Sequence, residues 1–285
     1  MKLARPDIFH PRIVLAGCPQ HVTGDKDDAG LVAAIRHRGL HARWLSWDDP
    51  DTGRAHLVIL RATRDYAQRL DEFLDWTTSV PNLLNAPAVV AWNADRRYLA
   101  DLADQGVPTV PGQVFAPGER IRLPRTGQVF VGPTVGTGTQ RCAERSAAAA
   151  RIAELHAAGQ NAMVQPCGPA RETVLVFLGG KPSHAFTKRA RALVPAEPDF
   201  EIWELGAAAL GAAAAQVGIE ASELLYARAH LVGARLLELQ LVEPSLEWLR
   251  LDVATRDLAQ REFALAVESA CERLGLGPFS QPFPH

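Results

Sequence analysis

Between Leu224 and Leu246 the chain reads LLYARAHLVGARLLELQLVEPSL, an apolar ribbon that carries Arg228, His230, Glu238, Gln240 and Glu243. Gly233 predicts two strands joined by a tight turn. Residues two apart on a strand share a face, so Arg228 and His230 point one way together, and so do Glu238 and Gln240. A strand made mostly of Leu and Val demands burial, and charged groups on its inner face need partners, ligands or a metal. Such a ribbon suits a phosphate-and-metal site built on a sheet.

The elements that must position these residues follow from apolar patterning. Residues 13–16 form a short apolar run before Gly17, as expected of a buried parallel strand. Residues 25–38 read as a helix with Asp27 or Asp28 as its cap and Leu31, Val32 and Ile35 as its apolar stripe; Gly39 ends it. Further strands are expected at 42–47 and 57–60, and another amphipathic helix around 72–77. Strand–helix–strand alternation implies a parallel sheet flanked by helices. Ligands of open α/β sheets bind beyond the carboxyl ends of the strands. Cys18 falls at such an end, as a substrate contact or as a small buried residue. Arg61 falls at another, where its fork suits a carboxylate. Asp65 and Tyr66 follow, and Arg61 paired with Asp65 at a domain edge is the competing reading.

In the middle of the chain, Asn93 is a good helix cap, with Asp95 near the positive end of the helix dipole. VFVGPTVGTGT at 129–139 reads as a strand and a Gly-rich loop, whose Gly136 and Gly138 allow close backbone approach to phosphate oxygens. A helix is expected at 143–157 with Ile152 and Leu155 on one face, and a strand at 162–165. A hairpin around Gly179 and Gly180 joins 173–177 to 184–188. Small residues at 207–217 predict a helix, and 254–274 a longer one with Leu258, Phe263, Val267 and Ala270 in register.

These pieces resemble the ATP-grasp superfamily, in the bacterial branch that includes the cyclo-ligase of cycloserine biosynthesis and glutathione-synthetase-like ligases. The resemblance rests on a collinear set: LRATRDY (60–66), LLNAPAVVAWNADRRYLADL (83–102), GVPTVP (106–111), VFVGPTVGTGT (129–139), MVQP (163–166), GGKPSHAFTK (179–188) and the ribbon. It implies an α/β fold, α+β in its C-terminal part, with an N-terminal parallel-sheet domain at 1–92. A small nucleotide lid at 93–166 and the main sheet at 167–285 would follow. It also implies a ligase that activates a carboxylate as an acyl phosphate for attack by an amine or hydroxyl, with ATP and Mg2+.

Nucleotide contacts would fall to Arg96, Gly136, Gly138, Glu172 and Lys188, with the backbone around Gln165 against the adenine. Arg228 would stabilise the tetrahedral intermediate, Glu238 and Gln240 would hold the metal, and Glu243 with Ser245 would shape the acceptor pocket. Several positions depart from the pattern. Gly132 stands where the family carries a phosphate-binding Lys, and one charge-assisted contact is worth roughly 1.5–3 kcal/mol. Arg141, Arg151 and Lys188 are candidates to replace it. His230 stands where a metal-binding Asp is usual, and imidazole suits zinc, manganese or iron better than magnesium. Arg96 replaces a Lys that reaches the phosphates, or lies on a solvated helix face. Arg64 replaces a Trp, favouring a more anionic ligand. His184 reads as a hydrogen-bonded sheet residue. The alternative to a ligase is therefore a relative that keeps the cleft without using ATP, binding a metabolite or doing acid–base work with His230 and Glu238.

Bulk properties are those of an ordinary globular chain: 285 residues, 47% hydrophobic, 22% charged, net charge −2. Length allows two or three small domains. Near-neutral charge supplies no field for nucleic acid or anionic membrane. The polar start MKLARPDIFHPR carries no apolar signal core, and no apolar run approaches a membrane span, so the cytoplasm is the expected compartment. Cysteines 18, 142, 167 and 271 match no zinc or redox spacing and read as free thiols. The expected partner is a small amino-acid-like molecule, and a homo-oligomer is compatible with the small-residue helix.

Overall fold

A computed structural model describes residues 10–123, 127–190 and 192–277. The Phe and Pro residues of the last stretch, 278–285, expected from sequence to pack or dangle, lie outside them. The first sheet is built from β1 (Arg12–Gly17), β2 (His41–Ser46), β3 (Leu57–Ala62) and β4 (Leu83–Leu84), parallel in the order β2-β1-β3-β4. Helices α1 (Leu31–His37), α2 (Leu70–Ser79) and α3 (Pro87–Asn93) connect or follow these strands. Alternate residues of β1 serve opposite cores. Ile13 and Leu15 pack with Leu31 and Ile35, whereas Val14 and Ala16 pack with Trp47 and Phe73. Burial on both faces explains the unbroken apolar runs.

The chain continues through α4 (Tyr98–Asp104), β5 (Gln113–Phe115), β6 (Gln128–Pro133), β7 (Gln140–Cys142), α5 (Arg145–Ala157) and β8 (Ala162–Cys167). A second sheet, antiparallel in the order β5-β8-β6-β7, packs on Ile152 and Leu155 of α5. The third sheet has five strands. It consists of β9 (Glu172–Leu178), β10 (Lys181–Arg189), β11 (Ala192–Ala196), β12 (Tyr226–Val232) and β13 (Leu236–Gln240), in the order β11-β10-β9-β12-β13. One face of it packs Leu175, Phe177, Ala227 and Leu239 against Leu210 and Ala213 of α6 (Phe200–Val217). The other face puts Val174, Val176 and Phe186 with Phe263 and Val267 of α7 (Val253–Arg273), and α7 also meets the first sheet.

Three expectations are corrected. The helix expected at 25–38 is shorter and starts only at Leu31; neither Asp27 nor Asp28 caps it. Asp28 is buried instead and accepts from Arg61 Nη2 at 2.8 Å, because a buried guanidinium needs a counter-charge more than an exposed helix end needs a cap. Asn93 ends α3 rather than starting a helix. Its amide bridges the outer edge of β13, donating to Leu239 O (2.9 Å) and accepting from Leu241 N (2.7 Å). Leu258 is 57% exposed and does not share the buried face of Phe263, Val267 and Ala270.

Candidate active site

The hairpin of β12 and β13 pairs Arg228 with Gln240 and His230 with Glu238 directly across the ladder. Directly paired residues project to the same face. All four therefore share one face, together with Val174 and Val176 of the neighbouring strand. Register then shifts between His230 and Leu231, so Leu237 is the extra residue of a bulge. That bulge re-aims Leu237 into a small apolar cluster with Val110, Phe130 and Val232, which bonds the second sheet to the third.

A cavity of about 230 Å3 opens over this hairpin. Its walls include Arg96, Arg228, Glu238 and Gln240 from the sheet side, and Glu243, Ser245 and Glu247 from the loop after β13. Tyr66, Gly136 and Thr137 complete it. Gly136 is left-handed (φ 85), and a Cβ there would stand 2.7 Å from the Ala67 Cβ. Only glycine lets this loop dock on the turn that carries Tyr66. Gly138 is left-handed too, and its carbonyl accepts from Arg151 Nη2.

Arg96 is buried rather than solvated. It donates to Thr139 Oγ1 and Gln165 Oε1, each at 2.8 Å, and its Nε lies 3.8 Å from Glu238 Oε1. Gly132 explains the first contact. A Cβ at 132 would come 2.4 Å from Thr139 Oγ1, so the missing side chain is what lets Thr139 close over the strand and receive Arg96. The Gln165 side chain is engaged as well, donating to Val110 O and Leu237 O.

Beside the cavity, Glu172 is the hub of a cation cluster: Lys188 Nζ at 2.9 Å, His230 Nε2 at 3.2 Å and Arg141 at 3.3 Å. Burial alone would raise the Glu172 carboxyl, but bonds from His230 and Lys188 outweigh it and hold the group at about 2. Glu238 behaves similarly: burial opposes ionisation, and Arg96, then His230, prevail and lower it. Glu243 goes the other way. Burial pushes its carboxyl up to about 8 against the pull of Arg61 and Arg64.

Three expected substrate contacts are not brought to the cavity. Cys18 is buried with Val14, Ala16 and Trp47 in the first sheet's core. Arg61 is buried on Asp28, not on Asp65, and stacks over the Tyr226 ring. Asp65 accepts from Trp47 Nε1 and Arg69. Arg64 pairs with Asp25 at the surface. His184 bonds Leu246 O at 2.7 Å, the sheet role expected of it. Sequence reasoning missed Thr137, Tyr98 and Glu247 as cavity walls. Tyr98 was hidden by its apolar helix neighbours; the LEWLR stretch around Glu247 gave no signal.

The fold implies magnesium, and the donor set does not suit it. Gln240 Oε1 already accepts from Arg228 (3.0 Å), Glu238 faces Arg96, and Glu172 is saturated by cations. Among the described residues no group of three His, Cys, Asp or Glu comes together to hold a metal ion. His230 Nε2 lies 3.2 Å from Glu172 Oε2. The cations beside the loop strands are Lys188, half-buried, and Arg141, exposed, both paired with Glu172.

A parallel N-terminal sheet, a small antiparallel sheet and a five-stranded sheet that converge on this cavity define an ATP-grasp protein. The crystal structure of D-alanine–D-alanine ligase from Bacillus anthracis complexed with ATP superposes with a TM-score of 0.68 over 93% of this chain and 98% of that one, at 11% identity. The crystal structure of D-cycloserine synthetase DcsG matches more strongly: TM-score 0.76, 30% identity, 92% of this chain and 99% of that one. Residues 13–85 match the family described as D-cycloserine synthetase DcsG, N-terminal domain. The cycloserine biosynthesis protein DcsG of Streptomyces lavendulae is 33% identical over 263 residues, 78% of this chain and 88% of that protein. The chain belongs to the DcsG family of ATP-grasp proteins. Among the described residues no helix is long and apolar enough to cross a membrane.

Proposed function

We propose that the chain is an ATP-dependent ligase that joins a carboxylate to an amine of a small amino-acid-like substrate, as an amide or a closed ring. One observation carries this reading. The Gly136 loop, the Arg228–Glu238 hairpin and the Glu243–Ser245 turn line a single cavity of amino-acid size, about 230 Å3. The family relationship to a cycloserine biosynthesis protein supports a setting in small-molecule biosynthesis.

ATP would supply the phosphoryl group that turns the carboxylate into an acyl phosphate. Lys188 and Arg141 are the side chains offered to phosphate oxygens, with backbone N–H groups of the 136–138 loop. Arg228 is held by Gln240 and Glu247, at 3.0 and 3.5 Å, so its guanidinium is fixed in direction before substrate arrives. A fixed cation at the reacting carbon stabilises the oxyanion of the tetrahedral intermediate without reorganising. Glu238, kept ionised by Arg96 and His230, holds that constellation together rather than carrying a metal. The three sheet-bearing segments are proposed as the working division, with the boundaries at 92 and 166.

The donor set that does not suit magnesium favours a second reading, a relative that binds a metabolite in the same cavity without turning over ATP. Calorimetric titration with ATP, with and without Mg2+, separates the two. The ligase reading expects affinity in the micromolar range. No heat at millimolar nucleotide would leave only the second.

A further inference from the structure

We propose that Glu243 is the residue that reads the ammonium group of the acceptor, so that the cavity selects amino acids over the corresponding hydroxy acids. This rests on the reading of the cavity as the acceptor site and goes further by assigning its specificity.

Three acids line the cavity: Glu238, Glu243 and Glu247. Glu238 faces Arg96 at 3.8 Å. Glu247 takes Arg228 at 3.5 Å and Arg250 at 2.5 Å. Glu243 has no ion pair among the described residues, and its Oε2 is sealed from solvent without a hydrogen-bond partner. The cations that act on it make their ion pairs elsewhere, although Arg61 Nη1 is buried without a partner. Arg61 gives Nε and Nη2 to Asp28 at 3.1 and 2.8 Å, and Arg64 pairs with Asp25. Among the described residues, the Thr63 backbone N–H is the donor that reaches it.

A structural carboxylate would have been given a partner, because a buried unpaired acid is costly. Glu243 is also in a left-handed conformation (φ 43), uncommon for a residue with a side chain, and Pro244 follows it. Strain and an unpartnered carboxyl oxygen at one residue of a cavity wall are the marks of a group kept for a ligand. The complement of one surplus acid is one positive charge. A metal ion needs several hard oxygens, and no such group of acids exists among the described residues. An ammonium needs one carboxylate and a few neutral acceptors, and Tyr66 and Ser245 are among the residues that line the same cavity.

The test compares pairs of ligands that differ at one group. Glycine and both enantiomers of alanine and serine are titrated into the full-length protein, against glycolate, lactate and glycerate. Saturation-transfer NMR and calorimetry are the readouts, with Mg-ATP titrated separately. At least one amino acid should bind at least tenfold more tightly than its hydroxy analogue. Glu243→Gln should remove that preference and Glu243→Asp should keep it, with melting curves showing that both variants fold. Equal binding within each pair, or no binding by any amino acid, overturns the proposal. If Mg-ATP binds in that case, the ligase reading survives; an amine preference without nucleotide binding would retain Glu243 and remove the ligase.

Discussion

Glu243 adds a pH dependence opposite in sign to that of the lowered carboxyls Glu172 and Glu238. Burial raises its carboxyl to about 8 from an ordinary value of 4.5, and Arg61 and Arg64 oppose this without reversing it. A raised acid stabilises the fold below its unfolded value, and that contribution is lost as pH rises through about 8. Glu243→Gln should therefore melt close to wild type at pH 5 and about 3–6 °C higher at pH 9. The same difference at both pH values would contradict the burial of an unpaired charge. Asp28 and Arg61 offer a different case, a sealed pair rather than a functional one. Breaking a buried pair leaves an uncompensated charge, so Asp28→Asn should cost about 3 kcal/mol in urea denaturation without changing nucleotide affinity. A cost near zero would show that Arg61 has another partner. Chemistry-bearing residues on the hairpin were legible from spacing alone, because strand alternation fixes which side chains share a face. Pairings across the chain were not: Arg61 with Asp28, and Glu172 with Lys188 and His230, depend on tertiary approach that no local pattern encodes.

The hairpin works because its outer edge is closed by side chains rather than by another strand. Asn93 takes Leu239 O and Leu241 N, and the Tyr98 hydroxyl both donates to Leu239 O (2.6 Å) and accepts from Leu239 N (2.8 Å). Asn85 closes the same end through Leu241 O and Leu225 N. An edge strand capped in this way offers no template for pairing with another chain, and its backbone groups are satisfied away from water. Asn93→Ala strips two of these bonds and should destabilise by about 2–4 kcal/mol, with faster hydrogen exchange at the Leu241 amide. Unchanged exchange there would contradict the edge-sealing role. The phosphate loop makes a second element-level prediction. Gly136→Ala forces a left-handed alanine against Ala67, so the loop must withdraw, and ATP affinity should fall about tenfold while secondary structure is retained. Retained affinity would show that the loop does not meet the nucleotide. Periodicity found the longer strands and the long helices but not the short strands β4, β5, β7 and β11. It misread Asn93 as a cap because a cap and an edge bridge use the same side-chain amide, and it missed the bulge at Leu237 because one extra residue leaves the apolar pattern intact.

Three sheets of different construction share the labour of the molecule. The parallel sheet brings Tyr66 on the turn after β3; the small sheet brings a glycine loop; the five-stranded sheet turns its charged face to the cavity. α7 joins the first and third sheets in one core, so the cavity is set by contacts far from it. This arrangement explains why Gly132 does not simply mark a lost lysine: Thr139 and Arg96 fill that corner, and a lysine has no room there until the Thr139 backbone moves away. The whole architecture was legible in the order of the motifs, whereas the reallocation of cations around Gly132 and His230 appears only when the sheets are brought together. The most direct measurement is ADP release from ATP, followed by a coupled assay across a panel of small amino acids, for wild type and Arg228→Met. The account predicts amino-acid-dependent ADP release in wild type, reduced at least a hundredfold in Arg228→Met with melting temperature preserved. Equal release by the two proteins, or release from neither, would contradict it.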